Sequence, residues 1–186
     1  MSGRYEIRLA GAGGQGLLLA GLILAEAAAI YDDKNAVQSQ SYGPEARGGT
    51  SRSELIISDD EIDYPKVVEP NVLLAMTQES ADKYAVDVRK DAVIVVDAGQ
   101  VERKPSVGRV VSVPITAIAR EVTGTPLTAS VVALGVIAGL TGVVSRQAIQ
   151  SAVQARAPQG PREKNQAALE AGLSVGEGLR KPEQLS

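Results

Sequence analysis

The first thirty residues combine a short strand, a glycine turn and a helix, and this unit strongly constrains how the chain can fold. A strand is predicted over 6–10 and a helix over 15–31, and residues 11–16 between them read GAGGQG. This is the spacing G-x-G-x-x-G, in which glycines permit a tight turn and close approach of the backbone to a ligand. The following helix offers free N–H groups and the positive end of its dipole to a phosphate. The candidate phosphate-binding residues here are Gly11, Gly13, Gly14, Gln15 and Gly16. A purely structural turn is the alternative.

The rest of the chain continues to alternate strand-like and helix-like segments. The clearest strand covers 92–97, a continuous apolar run that is typical of a buried parallel strand. Further strands are predicted over 35–39, 53–58, 71–76 and 109–113, and further helices over 78–88, 116–123, 127–141, 145–156 and 163–179. This alternation predicts an α/β fold, a Rossmann-like three-layer domain with a mostly parallel sheet. We expect one domain over 1–180, with a Pro/Gly linker at 157–162, and a tail over 181–186.

A dinucleotide-binding domain would also need an acidic residue at the end of its second strand, where it binds the ribose. Here the predicted second strand ends in Val37-Gln38-Ser39, and the acids Asp32 and Asp33 precede it. The turn therefore suits a phosphate better than a complete NAD site. A free-standing NAD- or flavin-binding oxidoreductase remains an alternative.

The segment 39–50 (SQSYGPEARGGT) is predicted to be a long polar loop that carries an acid and a base two residues apart. Consecutive glycines can expose backbone N–H groups as an anion-binding nest, and an arginine can add a bidentate contact to phosphate or carboxylate. The candidate binding residues in this loop are Tyr42, Gly43, Glu45, Arg47, Gly48 and Gly49. The alternative is a solvated loop with a surface ion pair between Arg47 and Glu45 or Glu54.

The composition excludes several kinds of site. The 186 residues include no Cys and no His, which removes the usual ligands of iron–sulfur clusters and of structural zinc, and excludes Ser-His-Asp and Cys-His catalysis. Carboxylates, Lys and Tyr remain available for acid–base work, and no metal-binding residue is predicted in this chain. The net charge of −3 and the aromatic content of 3% argue against nucleic-acid binding.

Two predicted helices, over 15–31 and 127–141, are apolar almost all round. A helix on the surface of a free domain should have a polar face, so both need cover on more than one side. This favours a subunit of a larger assembly, and the alternative is compact packing within one domain. Threonines and glycines dilute the second stretch too much for a membrane span, so no membrane insertion is predicted.

The glycine turn and the polar loop together resemble the gamma subunits of the pyruvate/2-oxoacid:ferredoxin oxidoreductases. The resemblance covers nearly the whole chain. It is carried by residues 11–16, 40–49 (QSYGPEARGG), 53–58, 63–65, 73–79, 133–135 and 164–165. The string over 42–49 is its most specific part.

The resemblance implies a function for the assembly and a supporting role for this chain. Such enzymes of anaerobic metabolism decarboxylate a 2-oxoacid on thiamine diphosphate, transfer the acyl group to coenzyme A, and pass electrons through iron–sulfur clusters to ferredoxin or, in an NAD-linked form, to NAD. Thiamine diphosphate and the clusters are expected on partners, namely thiamine-binding alpha and beta subunits and a ferredoxin-like subunit. This cytoplasmic chain would help bind coenzyme A beside the active site without being catalytic alone. The details most resemble 2-oxoglutarate-type enzymes, followed by those acting on phenylglyoxylate or another aromatic 2-oxoacid. A purely structural assembly subunit is the alternative.

Overall fold

The computed structural model describes residues 3–42, 49–156 and 162–180, and in these ranges it has a six-stranded sheet with helices on both faces. The strands are β1 (Tyr5–Ala12), β2 (Asn35–Tyr42), β3 (Thr50–Ser58), β4 (Val72–Ala75), β5 (Val93–Asp97) and β6 (Arg109–Val113). The helices are α1 (Leu17–Glu26), α2 (Gln78–Tyr84), α3 (Ile115–Thr123), α4 (Ala129–Thr141), α5 (Arg146–Arg156) and α6 (Arg162–Leu179).

The sheet has the strand order β2-β3-β1-β4-β5-β6. Strands β1, β4, β5 and β6 pair in parallel, whereas β3 is antiparallel to both of its neighbours, β1 and β2. Every strand except β3 therefore runs in the same direction. The core on one face includes residues of α1, α3, α4, α5 and α6, and α2 covers part of the other face. The predicted α/β fold, with three layers and a mostly parallel sheet, is confirmed.

The hairpin formed by β2 and β3 is longer than predicted. Strand β2 continues to Tyr42 and β3 begins at Thr50, because the two strands stay in register up to the pair Tyr42 and Ser51. The predicted loop over 39–50 is therefore shortened to the segment between these strands. Most of that segment, 43–48, and most of the predicted linker, 157–161, lie outside the described residues.

The first helix differs from the prediction at both ends. Its α-helical part begins at Leu17, because Gly16 adopts the left-handed conformation with a φ of 76°. After Glu26 the helix widens into a π-helical turn, Ala27–Tyr31, in which the N–H of Asp32 donates to the Ala27 carbonyl at 3.2 Å. Gln15 thus belongs to the turn and not to the helix.

Helix α4 is covered within the chain itself. All of its residues except Ser130 are buried, and its main neighbour is α6, whose glycines Gly172 and Gly176 face Gly135 and Gly139 of α4. The absence of side chains at this crossing lets the two backbones approach closely. For α4, compact packing within the domain is the correct alternative. No helix in the described ranges is long and apolar enough to cross a membrane.

Candidate glycine-turn site

The glycine turn lies at the carboxyl end of β1, between that strand and α1. Gly14 and Gly16 have φ angles of 85° and 76°, which favour glycine because an L side chain is strained there. At Gly11 space is the constraint, since a Cβ atom would lie 2.8 Å from Cδ1 of Leu17 and 3.0 Å from Cβ of Met76. The local sequence therefore specifies a turn that few other residues would allow.

The side chain of Gln15 stabilises this turn from inside. Its Oε1 accepts a hydrogen bond from the backbone N–H of Ala12 at 2.8 Å, and its own backbone N–H donates to the Ala12 carbonyl at 3.3 Å. Gln15 was predicted to contact a ligand. In the structure its side-chain oxygen contacts the turn, and the residue also lines the cleft described below.

The amino terminus of α1 is suited to an anion. Gly16 is its N-cap and provides no side-chain cap, and the first turn of the helix contains no acidic residue. The first N–H groups of a helix have no partner within the helix and lie at the positive end of its dipole. A phosphate at this position would accept hydrogen bonds from these backbone N–H groups, because no N-cap side chain satisfies them.

A cleft of about 430 Å³ opens beside the glycine turn. One wall comes from the turn and α1, and the opposite wall from the segment that leads into α4. The amino-terminal end of α6 adds Lys164 and Asn165. The lining residues are Gly14, Gln15, Gly16, Leu19, Ala20, Ile23, Thr125, Leu127, Thr128, Ser130, Val131, Leu134, Lys164 and Asn165. The lining of the cleft thus includes an uncapped helix terminus, a cation and several apolar residues.

The base of the polar loop lies directly beside the glycine turn. The N–H of Gly13 donates to the carbonyl of Gly49 at 3.2 Å, and Oγ of Ser51 donates to the Ala12 carbonyl at 3.3 Å. The structure therefore brings Gly13 and Gly49, two predicted site residues from distant parts of the sequence, into contact.

The remaining predicted site residues belong to the part of the loop that is not described. The backbone of Tyr42 ends β2, but its side chain lies outside the described residues. The predicted residues Gly43, Glu45, Arg47 and Gly48 lie outside them entirely. Their role in binding stays a prediction.

The acidic residues considered for an NAD ribose have another position in the fold. The carboxylate of Asp32 accepts hydrogen bonds from the backbone N–H and the hydroxyl of Ser145, each at 2.6 Å. Because α1 runs back along the sheet, Asp32 lies at the end opposite the glycine turn. In addition, the antiparallel strand β3 takes the place beside β1 where the dinucleotide-binding fold has its second parallel strand.

Sequence reasoning missed the wall formed by Thr125–Ser130 and attributed no binding role to Lys164. One signal was available, because Thr125 followed by Pro126 is a typical start of a helix. The hydroxyl oxygen of Thr125 indeed accepts a hydrogen bond from the backbone N–H of Leu127 at 3.2 Å. The side chain of Leu127 is 84% exposed at the mouth of the cleft. No pattern in the sequence indicated that α6 reaches this cleft.

The chain has clear relatives among known proteins. The sequence profile of the family described as pyruvate ferredoxin/flavodoxin oxidoreductase matches residues 6–175. The chain belongs to this family. The 2-oxoglutarate synthase subunit KorC of Methanocaldococcus jannaschii is 46% identical over 179 residues, which are 95% of this chain and 96% of the relative. The predicted resemblance is confirmed, and the chain is a gamma-type subunit of a multisubunit 2-oxoacid oxidoreductase.

Two solved structures have the same fold. The gamma subunit of a keto/oxoacid ferredoxin oxidoreductase from Geobacter sulfurreducens superposes with a TM-score of 0.88 at 46% identity, and the match covers 97% of this chain and all of that one. The second structure is the 2-oxoglutarate:ferredoxin oxidoreductase from Magnetococcus marinus with 2-oxoglutarate, coenzyme A and succinyl-CoA bound. It matches with a TM-score of 0.85 at 19% identity over 97% of this chain and 32% of its own, which shows a shared fold.

Proposed function

We propose that this chain is the gamma subunit of a 2-oxoglutarate oxidoreductase and that it binds part of coenzyme A in the glycine-turn cleft. The observation that carries the proposal is the combination, in one cleft, of the uncapped amino terminus of α1, the cation Lys164 and an apolar wall. Coenzyme A joins negatively charged phosphates to a long, partly apolar pantetheine arm. A cleft whose lining includes a cation, a helix amino terminus and apolar side chains is complementary to both parts.

The choice of 2-oxoglutarate rests on the relatives. Four relatives named 2-oxoglutarate synthase subunit KorC are 37–46% identical and are covered almost completely. The pyruvate synthase subunit PorC of Methanocaldococcus jannaschii is 30% identical over 152 residues. An aromatic 2-oxoacid such as phenylglyoxylate stays the second candidate substrate.

The chemistry of the reaction is assigned to companion subunits. Thiamine diphosphate would be bound by the alpha and beta subunits and the iron–sulfur clusters by a ferredoxin-like subunit, in agreement with a chain that has no Cys and no His. Within the described ranges, no three acidic side chains come together as ligands for a metal ion. The role of this chain would be to orient the coenzyme so that its thiol reaches the acyl group held by the partners.

The test uses the assembled complex and two alanine substitutions. We expect Lys164→Ala and Arg47→Ala each to raise the KM for coenzyme A roughly tenfold, because loss of one charge-assisted contact to phosphate is worth ~1.4 kcal/mol or more. The KM for 2-oxoglutarate should not change. Lys90→Ala is the matched control, since Lys90 is exposed and does not line the cleft.

A purely structural subunit is the second candidate function, because the exposed Leu127 and the loop base at Gly49 would also suit an interface. In that case the two substitutions would reduce the yield of assembled complex and leave the KM for coenzyme A unchanged. That result would contradict the binding proposal.

A further inference from the structure

A second charged feature lies on the opposite face of the sheet from the glycine-turn cleft. Arg8, Arg52 and Lys83 surround the ring of Tyr84, with their charged groups 5.5, 5.6 and 5.4 Å from its centroid. We call these three cations the basic cluster. They come from β1, β3 and α2, so the packing of α2 on the sheet brings them together.

The basic cluster has an excess of positive charge. Among the described residues, Glu54 is the one carboxylate that forms ion pairs with it, at 2.7 Å from Arg8 and 3.8 Å from Arg52. Lys83 donates to the hydroxyl of Thr50 at 3.2 Å, which does not neutralise its charge. Counting the described residues that form the cluster and its ion pairs, three positive charges and one negative charge give +2, in a chain whose overall net charge is −3.

Two donors of the basic cluster are also unsatisfied. The side chain of Arg8 is 5% exposed. Its Nη1 and the Nε of Arg52 are buried and have no hydrogen-bond partner among the described residues. Leaving charged donors buried and unpaired is unfavourable, and the charged groups of the cluster that a partner can reach are the half-buried side chain of Arg52 and the exposed Lys83.

The basic cluster is exposed at Lys83 and half-buried at Arg52, whereas Arg8 and Tyr84 are buried. Helix α2 packs on β1 and β4, and the core on this face contains no residue of the β2–β3 hairpin in the part of the chain that is described. Ser39 and Ser41 lie directly opposite Glu54 and Arg52 in the hairpin, so their side chains project from the same face. Ser39 is exposed and Ser41 is half-buried. Among the described residues, a partner can therefore contact the cluster at Lys83, Arg52 and Ser39.

We propose that the basic cluster docks a carboxylate-bearing surface of a companion subunit of the oxidoreductase complex. Carboxylates match the fork geometry of arginine donors, and serine hydroxyls add further hydrogen bonds at the edge of such a contact. A coenzyme in the glycine-turn cleft would lie on the other side of the sheet, among α1, α4 and α6. The inference rests on membership in a multisubunit family and not on coenzyme A binding.

The test is a charge reversal in the assembled complex, with a matched control. Lys83→Glu and Arg120→Glu each replace an exposed cation in the last turn of a short helix, α2 and α3 respectively, but α3 lies on the other face of the sheet. The tagged chain is co-expressed with its companion subunits, and their retention is measured at increasing salt. We expect Lys83→Glu to weaken association at least about tenfold at low salt, and Arg120→Glu to leave it unchanged.

The salt dependence gives a second readout. Salt screens exposed charges strongly between about 0.1 M and 1 M, so association of the wild-type subunit should weaken over this range and that of Lys83→Glu should weaken less. Arg52→Glu should behave like Lys83→Glu. Because reversal next to Glu54 could prevent folding, thermal unfolding of each variant is measured beside it, and the conclusion rests on Lys83→Glu.

Several results would overturn the proposal. Unchanged association of Lys83→Glu, equal losses for Lys83→Glu and Arg120→Glu, or association of the wild type that does not respond to salt would each do so. A raised KM for coenzyme A in an intact complex would instead identify the cluster as a phosphate site. If Glu45→Gln caused the same loss of association, the missing carboxylate would come from this chain itself.

Discussion

The close crossing of α4 and α6 predicts that an alanine at Gly135 will destabilise the fold strongly. A Cβ atom at this position would lie 2.5 Å from the carbonyl oxygen of Leu169, 2.7 Å from the backbone nitrogen of Leu173 and 2.9 Å from the carbonyl carbon of Gly172. All three are backbone atoms of α6, so no side chain can rotate away. Ordinary contacts begin at 3.4 Å, and the two helices would have to separate by about 0.9 Å.

The size of the effect follows from this separation. Overpacking of a close-packed core costs about 1–3 kcal/mol. Where the helices separate by 0.5–1 Å along the rest of the crossing, each pair of atoms in contact loses roughly a quarter to a half of its dispersion energy. Alanine gains about 0.5–1 kcal/mol over glycine in a helix, which offsets part of this loss. We expect a net destabilisation of about 2 kcal/mol, which corresponds to a decrease in Tm of about 4–8 °C for a chain of this length.

The assay is thermal unfolding followed by circular dichroism, with Gly178→Ala as the control. Gly178 lies on α6 and is exposed, and a Cβ atom added there would meet no heavy atom within 4 Å. Its substitution should leave the Tm unchanged or raise it slightly, because only the gain in helix propensity remains. A Gly135→Ala variant with the Tm of the wild type would refute the reasoning, since the crossing would then have room for a methyl group.

Two further predictions concern one partly buried and one fully buried polar group. Burial, together with the charge of Asp91, raises the pKa of Tyr5 to about 12, so the folded chain keeps a proton that the unfolded chain loses above about pH 10. This contribution to the free energy of unfolding is complete below pH 10 and falls by about 2–3 kcal/mol as the pH rises towards 12. In urea titrations at different pH, Tyr5→Phe should lose less stability between pH 10 and pH 12 than the wild type. An unchanged pH profile would contradict the assignment. Asp97 is fully buried, and its carboxylate accepts hydrogen bonds from the backbone N–H and the hydroxyl of Thr116 at the start of α3. We expect Asp97→Asn to lower the free energy of unfolding by about 1–3 kcal/mol, because the amide group puts an N–H donor where one carboxylate oxygen accepted a hydrogen bond. A urea midpoint equal to that of the wild type would show that the contact is dispensable.

The sequence was most informative where a local pattern determines the backbone. The continuous apolar run at β5 and the glycine turn after β1 depend on short-range rules, and both are found in the structure with small shifts of their bounds. The family could be recognised from the loop over 42–49, even though most of that loop is not described.

The sequence was least informative where distant segments meet. The cover of α4 depends on glycines of α6 that lie 37 residues away, as in the contact between Gly135 and Gly172, and hydrophobic periodicity does not reveal such pairs. The cleft beside the glycine turn likewise depends on Leu127 and Lys164, which approach it only through the packing of α4 and α6. The antiparallel direction of β3 is another such feature, because it is set by pairing with β1 and β2.

The measurement that tests the central claim most directly is hydrogen–deuterium exchange of the assembled complex with and without coenzyme A. If the coenzyme binds in the glycine-turn cleft, peptides that cover residues 13–19 and 125–131 should exchange more slowly when it is present, because the first amides of α1 become hydrogen-bonded and the opposite wall becomes less accessible. If the complex oxidises 2-oxoglutarate with coenzyme A while exchange in both segments is unaffected, the coenzyme binds elsewhere and the proposed role of this cleft is wrong.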